Sequence, residues 1–278
     1  MVELRSLVIV LGDQLDLDAS AFDGFECAKD AVWMAEVAEE STHVWSSKPR
    51  TVMFLAAMRH FALALRDARR PLHYIALDDA ANQGSLAAQL KADIARLRPQ
   101  QLVMTAPGDW RVLQALKAVA AETGLPLDVR EDRHFFTSVR DFQAHAKGRK
   151  QLRLEYFYRE QRQRHQVLMD GDKPCGGQWN FDADNRQPFP KTGPHGVPPR
   201  STFTPDDVTR EVMTLVQARF AAHPGRLESF AWPVTRGQAL QALEQFIEQR
   251  LPFFGPHQDA MWPGQPWLYH AHLGAALN

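Results

Sequence analysis

Cysteine is nearly absent from this chain. Cys27 and Cys175 are its two cysteines, far apart, so neither a disulfide framework nor a cysteine-ligated metal centre is expected within it. No apolar run approaches the roughly 18 residues of a membrane span. The opening MVELRSLVIVLGDQ breaks its apolar stretch too soon for a secretory signal. A cytoplasmic protein without membrane association is therefore expected. An excess of charge is missing too: the formal net charge is -1, so any affinity for nucleic acid has to come from a local basic patch. Neither G-x-G-x-x-G nor G-x-x-x-x-G-K-[ST] occurs, which removes the dinucleotide fingerprint and the P-loop. There is no internal repeat and no low-complexity tract. What is present, 45% hydrophobic residues, suffices for a buried core.

Residues 6–12 (SLVIVLG), 31–37 (AVWMAEV), 72–77 (LHYIAL), 101–107 (QLVMTAP) and 125–130 (LPLDVR) read as five strands. Between them lie helical patterns. Residues 51–69 place Phe54, Leu55, Met58, Phe61 and Leu65 on one stripe, and residues 86–97 and 110–123 read likewise. Such alternation implies βαβ crossovers and a parallel sheet covered on both faces. Residues 1–132 are thus expected to form an α/β domain with a five-stranded parallel, Rossmann-like sheet. Residues 14–30 lack a strong helix period.

After residue 131 the pattern changes. Residues 137–145 and 151–169 read as helices, the first with Thr137 or Ser138 near its N-cap. Residues 170–200 are a Gly- and Pro-rich loop of about thirty residues, longer than an ordinary connection. Residues 205–222 and 237–251 are helical patterns with no strand between them. These features divide the remainder into a linker, 133–204, and the start of a helical domain, 205–278. The end, 268–278, has an apolar, helical-looking pattern. It reads either as a docked C-terminal helix or as a helix cut short by truncation.

In an open parallel sheet, ligands bind beyond the carboxyl ends of the strands, where the strand order reverses. With the order 3-2-1-4-5, the loop Gly12-Asp13-Gln14-Leu15 would face the loop Ala106-Pro107-Gly108-Asp109. Asp13 and Gln14 suit the polar edge of a ring, and the helix N-terminus at Trp110 suits oxygens. Glu36, Glu39 and Glu40 lie on the same rim. The alternatives are that Asp109 is an N-cap and that Glu39 and Glu40 are solvated.

The collinear series GDQL (12–15), AEVAEE (35–40), AMRHFA (57–62), PGDWRV (107–112), LEYFYRE (154–160) and GGQWNFDADNRQP (176–188) resembles the deoxyribodipyrimidine photolyase-related proteins, among them iron–sulfur bacterial cryptochromes and prokaryotic (6-4) photolyases. The resemblance implies a photolyase N-terminal α/β domain holding 6,7-dimethyl-8-ribityllumazine as antenna, a linker, and the start of a helical domain that binds FAD and a [4Fe-4S] cluster. It implies light-driven repair of (6-4) photoproducts, or light signalling. The antenna site corresponds to Asp13, Glu36, Glu40 and the helix start at Phe54. Phe54 stands where a smaller aliphatic side chain is expected and His43 where an aromatic hydroxyl is expected, which predicts a weakened or absent antenna. In LYHAHLGAALN (268–278), Ala271 and Gly274 stand where serines contact FAD phosphates; each lost hydroxyl costs roughly 1–3 kcal/mol of binding. The cluster cysteines have no counterparts in Cys27 and Cys175, and this chain alone is expected to be incompetent in repair.

Residues 140–165 carry Arg140, Lys147, Arg149, Lys150, Arg153, Arg159, Arg162 and Arg164 against Asp141, Glu155 and Glu160, with Tyr156, Phe157 and Tyr158 interleaved. Cations neutralise phosphates and aromatics stack on bases, so Arg149, Lys150, Arg153 and Arg159 are candidate DNA contacts. The alternative is a solvated amphipathic helix. His60 reads as a structural hydrogen-bonder, and the spacing of His270 and His272 opposes a metal site. A non-enzymatic reading also stands: a chromophore- or nucleotide-binding module, or a chain that pairs with a second chain or itself through Phe253, Phe254, Trp262 and Trp267.

Overall fold

A computed structural model of the chain describes residues 4–182, 185 and 187–274. They fall into two compact units, one comprising residues 4–131, 201–244 and 272–274, the other residues 132–200 and 245–271.

In the first unit, strands β1 (Ser6–Ile9), β2 (Asp30–Ala35), β3 (Leu72–Ile75), β4 (Gln101–Thr105) and β5 (Leu127–Arg130) form a sheet of order β3-β2-β1-β4-β5. Every pairing is parallel, and Val8 lies level with Val32 on one side and Val103 on the other. Up to residue 131 the helices of this unit are α1 (Glu39–Thr42), α2 (Lys48–Asp67), α3 (Leu86–Leu97) and α4 (Trp110–Thr123), with a 3-10 turn at Ser20–Phe22. Alternation along each strand divides the core. Leu7, Ile9, Trp33 and Met104 pack with Leu90 and Ile94 of α3 and Val112 and Leu116 of α4. Val8, Val10, Val32, Met34 and Val103 pack on the opposite side with Val52, Leu55 and Met58 of α2. This burial of both strand faces is why the strands read as apolar runs rather than as alternating patterns.

The helix ends are fixed by their own side chains. Ser47, Ser85 and Asp109 accept from backbone N–H groups in the first turns of α2, α3 and α4, and Gly124 closes α4 in the left-handed region. The irregular stretch 14–30 is held by side chains instead. Arg130 donates to the carbonyls of Ser20 (2.9 Å) and Asp23 (2.8 Å), and the Thr105 and Ser20 hydroxyls lie 3.2 Å apart. That is why no helical period marks it.

The second unit contains α5 (Val139–Ala146) and α6 (Leu154–His165) and a two-stranded antiparallel hairpin, β6 (Met169–Asp170) with β7 (Lys173–Pro174). A capping box at Ser138 and Asp141 starts α5. Its small core brings Phe157 within 5.3 Å of Phe142 and 5.0 Å of His145, ring centre to ring centre. Farther on, Phe189 stacks on His257 at 4.5 Å, and the Tyr269 hydroxyl donates to the carbonyl of His195 (3.1 Å), pinning part of the long loop.

The helix α7 (Asp207–Arg219) packs against α2. Val212 and Val216 are fully buried, and Phe220, Leu227, Phe230 and Val234 join the same core as Val52 and Met58. Gly225, at φ +93, lies where a Cβ would come within 2.7 Å of the Pro49 ring, so both the backbone and the close approach require glycine. Two helices complete the described residues, α8 (Arg236–Gln249) and α9 (Leu251–His257). The sequence hides α9 because Pro252, Gly255 and Pro256 are poor helix formers. Residues 268–274 form no α-helix, contrary to the pattern read there; residues 275–278 lie outside the described residues.

Candidate functional site

The sheet order reverses between β1 and β4, since the chain steps from β1 outward through β2 and β3 and then returns to β4 and β5. The loops after β1 and β4 are therefore the ones that meet at the carboxyl edge. Gln14 spans them: its side-chain amide donates to the carbonyls of Ala106 (3.0 Å) and Thr105 (3.4 Å). Its Oε1 is buried and has no hydrogen-bond partner. Leu15, the neighbouring residue of the motif, is buried in the core rather than turned to a ligand. Asp13 is exposed. Across the gap, a Cβ on Gly108 would meet nothing within 4 Å, so the backbone there is open.

Asp109 is the N-cap of α4, accepting from the Arg111 N–H at 2.7 Å. That bond holds its carboxyl below the usual carboxylate range. Glu40 is not free to greet a ring edge: both of its oxygens accept from Arg111 at 2.9 Å. Arg111 also reaches Asp109 at 3.4 Å and Glu39 at 4.0 Å. The rim carboxylates are thus gathered on one guanidinium.

Glu36 departs furthest from its expected role. Its side chain is fully buried and bonded to the protein at both oxygens. Oε1 accepts from Arg59 Nε (2.8 Å) and the Tyr74 hydroxyl (2.6 Å); Oε2 accepts from Arg59 Nη2 (3.0 Å) and the Leu77 N–H (2.7 Å). A carboxylate has about four acceptor positions, and all are taken. Burial, with the adjacent carboxylate, pushes the Tyr74 phenol far up, so it remains a donor. Glu36 is a structural anchor joining the ends of β2 and β3 to α2.

Phe54 is half-buried, packed on the core with the Arg50 guanidinium 5.4 Å from its ring centre. A Cβ on Gly12 would meet Met58 Sδ at 2.9 Å and the Phe54 ring at 3.8 Å, so these two side chains close over the end of β1. Arg59, Tyr74 and Arg111 carry the electrostatics of this edge and were missed in the sequence. The quoted motifs PGDWRV and AMRHFA contain Arg111 and Arg59, which was the available signal.

The basic segment lies in the second unit. Arg149 donates to Glu160 (2.9 Å) and to the His145 carbonyl (2.7 Å). Arg159 pairs with Glu155, and Arg164 bonds Asp141 at 2.6 Å. Arg162 is buried and turned back on the carbonyls of Val167 and Leu168. Among the described residues, Arg140, Lys147, Lys150 and Arg153 are exposed and form no ion pair. Of the four DNA candidates, Lys150 and Arg153 keep their charge open, whereas Arg149 and Arg159 are held by carboxylates. Among the described residues, no helix is long and apolar enough to cross a membrane, and no three His, Cys, Asp or Glu side chains are grouped as metal ligands.

Residues 8–232 match the family described as deoxyribodipyrimidine photo-lyase-related protein. The chain is also 40% identical over 276 residues to a protein of Agrobacterium fabrum (strain C58) named "(6-4) photolyase". That alignment takes in 99% of this chain and 54% of the relative. The chain spans about half the length of the curated relative it matches.

Proposed function

The chain belongs to the deoxyribodipyrimidine photo-lyase-related protein family, and from that premise we propose that it serves light-dependent repair of (6-4) photoproducts in DNA, with residues of this chain holding nucleic acid. The observation that carries this reading is the open basic surface of α5 and the connection that leads into α6, in a chain similar along nearly all its length to a protein named for that repair. Arg140, Lys147, Lys150 and Arg153 are free to neutralise phosphates, and phosphate contacts release counterions.

Family membership points to flavin- or pterin-type chromophores in general. The lumazine antenna fits this chain poorly: Glu36 has no acceptor left, Glu40 is paired with Arg111, and Phe54 and Met58 close over Gly12. FAD contacts expected at 268–278 meet Ala271 and Gly274, which carry no hydroxyl. The described residues offer no set of side chains for a [4Fe-4S] cluster.

The test is binding of a photoproduct-bearing oligonucleotide, followed by fluorescence anisotropy between about 50 and 200 mM salt. Four phosphate contacts give a slope of log affinity on log salt of about −3 to −4. Absence of binding at the lower salt, or affinity indifferent to salt, removes the reading. A second reading, a heterocycle held at the strand edge, is favoured by the unpartnered Gln14 Oε1; it requires the purified chain to acquire visible absorbance on reconstitution with lumazine or flavin. A third, association with another chain through residues 251–271, is favoured by Phe253 and Trp267, 49% and 40% exposed, whereas Phe254 packs on Phe246 and Trp262 on Phe189. Gel filtration of F253D/W267D against the native chain decides it.

A further inference from the structure

Beside the basic surface lies a cavity of about 520 Å³ bounded by α6 and by residues 135–137. That is within the range of small-ligand sites, roughly 300–1,000 Å³. Leu154, Tyr158, Gln161 and His165 recur at helical spacing on one face of α6 and line it together with Phe135, Phe136 and Phe157. The walls are aromatic and apolar, yet Phe136 is 71% and Leu154 76% exposed. A wholly apolar groove would suggest a protein or lipid partner. Two observations point elsewhere. Gln161 Oε1 and His165 Nε2 are buried and lack any hydrogen-bond partner, an arrangement that costs free energy unless a ligand supplies the missing bonds. And the α5–α6 segment carries four exposed cations outside any close ion pair, Arg153 acting on Glu155 only at longer range.

A flat ring with a polar edge, attached to a chain of phosphates, satisfies all three features. We infer that this cavity takes an unpaired thymine of single-stranded DNA, its ring among Phe135, Phe136 and Tyr158 and its imide edge on Gln161 and His165. The thymine N3–H donates to Gln161 Oε1, and the Nε2–H of His165 donates to a flanking carbonyl. The His165 ring is held in place by Phe136, 5.1 Å away between ring centres. The base of the site is stiffened by Arg162, whose guanidinium lies 5.7 Å from the Tyr158 ring and 5.3 Å from Trp179. This inference rests on the reading that the chain engages DNA, and it adds a single-base site to that surface.

The test compares three oligonucleotides of equal length and charge: oligo-dT, oligo-dT with every N3 methylated, and an abasic strand. Stacking and the imide contacts make oligo-dT bind about tenfold tighter than the abasic strand, and N3 methylation removes most of that advantage without any change to the protein. Gln161→Leu removes it as well, while K150A/R153A weakens all three strands alike. Equal binding of the three strands overturns the base site and leaves the phosphate surface standing. Binding of none overturns both. Oligo-dT preferred but insensitive to N3 methylation overturns the imide contact. A dimer in solution that Phe136→Asp converts to monomer assigns the cavity to a second copy and overturns the inference.

Discussion

The two units differ in how buried carboxylates and exposed aromatic surface are distributed between them. In the sheet unit the buried carboxylates are saturated, while Gln14 Oε1 and Arg111 Nε are buried without a hydrogen-bond partner. Glu36 has four partners, Asp30 is bonded by Arg5 at both oxygens, and Asp93 accepts from the Trp33 indole (2.9 Å), Gln89 (2.9 Å) and Arg96 (2.8 Å). In the α5–α6 unit, Arg159 Nε, Gln161 Oε1 and His165 Nε2 are buried without partners beside exposed Phe135 and Phe136. The first pattern is that of a core whose polar groups serve the fold. The second keeps bonding capacity in reserve, which is what a binding surface needs.

The largest test of this contrast is Glu36→Ala. It leaves the Arg59 guanidinium, only 18% exposed, without its buried carboxylate, with only the exposed Asp78 at 3.6 Å remaining. Loss of one partner of such a pair costs about 3–5 kcal/mol, read as a fall in urea midpoint at unchanged slope. A loss under about 1 kcal/mol would mean that Glu36 is not an anchor. Next comes Val216→Ala, which opens a void between α7 and α2 at a fully buried position and is expected to cost about 2 kcal/mol. In the other unit, Ser138→Ala removes the α5 cap at about 1 kcal/mol, seen as faster amide exchange at the start of that helix. Its partner Asp141 is held far below the usual carboxylate range, first by the Ser138 N–H and then by Arg164. A lowered folded value contributes stability present above the unfolded value of about 3.9 and lost only as pH falls through the folded one. The cap therefore persists through pH 4 and fails in stronger acid, which the same exchange measurement follows. The smallest effect is Phe136→Ser, within about 0.5 kcal/mol in stability, with a clear loss of hydrophobic-dye binding. A large destabilisation there would erase the contrast.

Most of the sheet unit was legible because buried parallel strands announce themselves as apolar runs. Residues 86–97 and 110–123 became α3 and α4 with the expected bounds, since Ser85 and Asp109 cap one end and Gly124 closes α4. The strand order 3-2-1-4-5, supposed from the sequence, is the one found, although alternation alone fits other doubly wound orders as well. The return of α7 to α2 was not legible, because an amphipathic helix records that it has an apolar face but not which surface covers it. At the strand edge, Asp13, Gln14, Gly108 and Asp109 lie on the carboxyl rim read from the sequence, while the arginine partners of Glu36 and Glu40 were not legible there. A carboxylate on a strand end reads the same whether it meets a ligand or an arginine. Arg59 lies 23 positions from Glu36 and Arg111 lies 71 from Glu40, beyond any local pattern.

The placement of α7 has a consequence for biosynthesis. The apolar layer over α2 is completed by residues as late as Val234, although the strands beneath it end at Arg130. Roughly 100 residues must still emerge from the ribosome, which at about 5–20 residues per second takes on the order of 5–20 s. Throughout that interval the nascent sheet carries a bare greasy flank, and a ribosome stalled within the intervening segment would leave a product prone to aggregate or to be captured by chaperones.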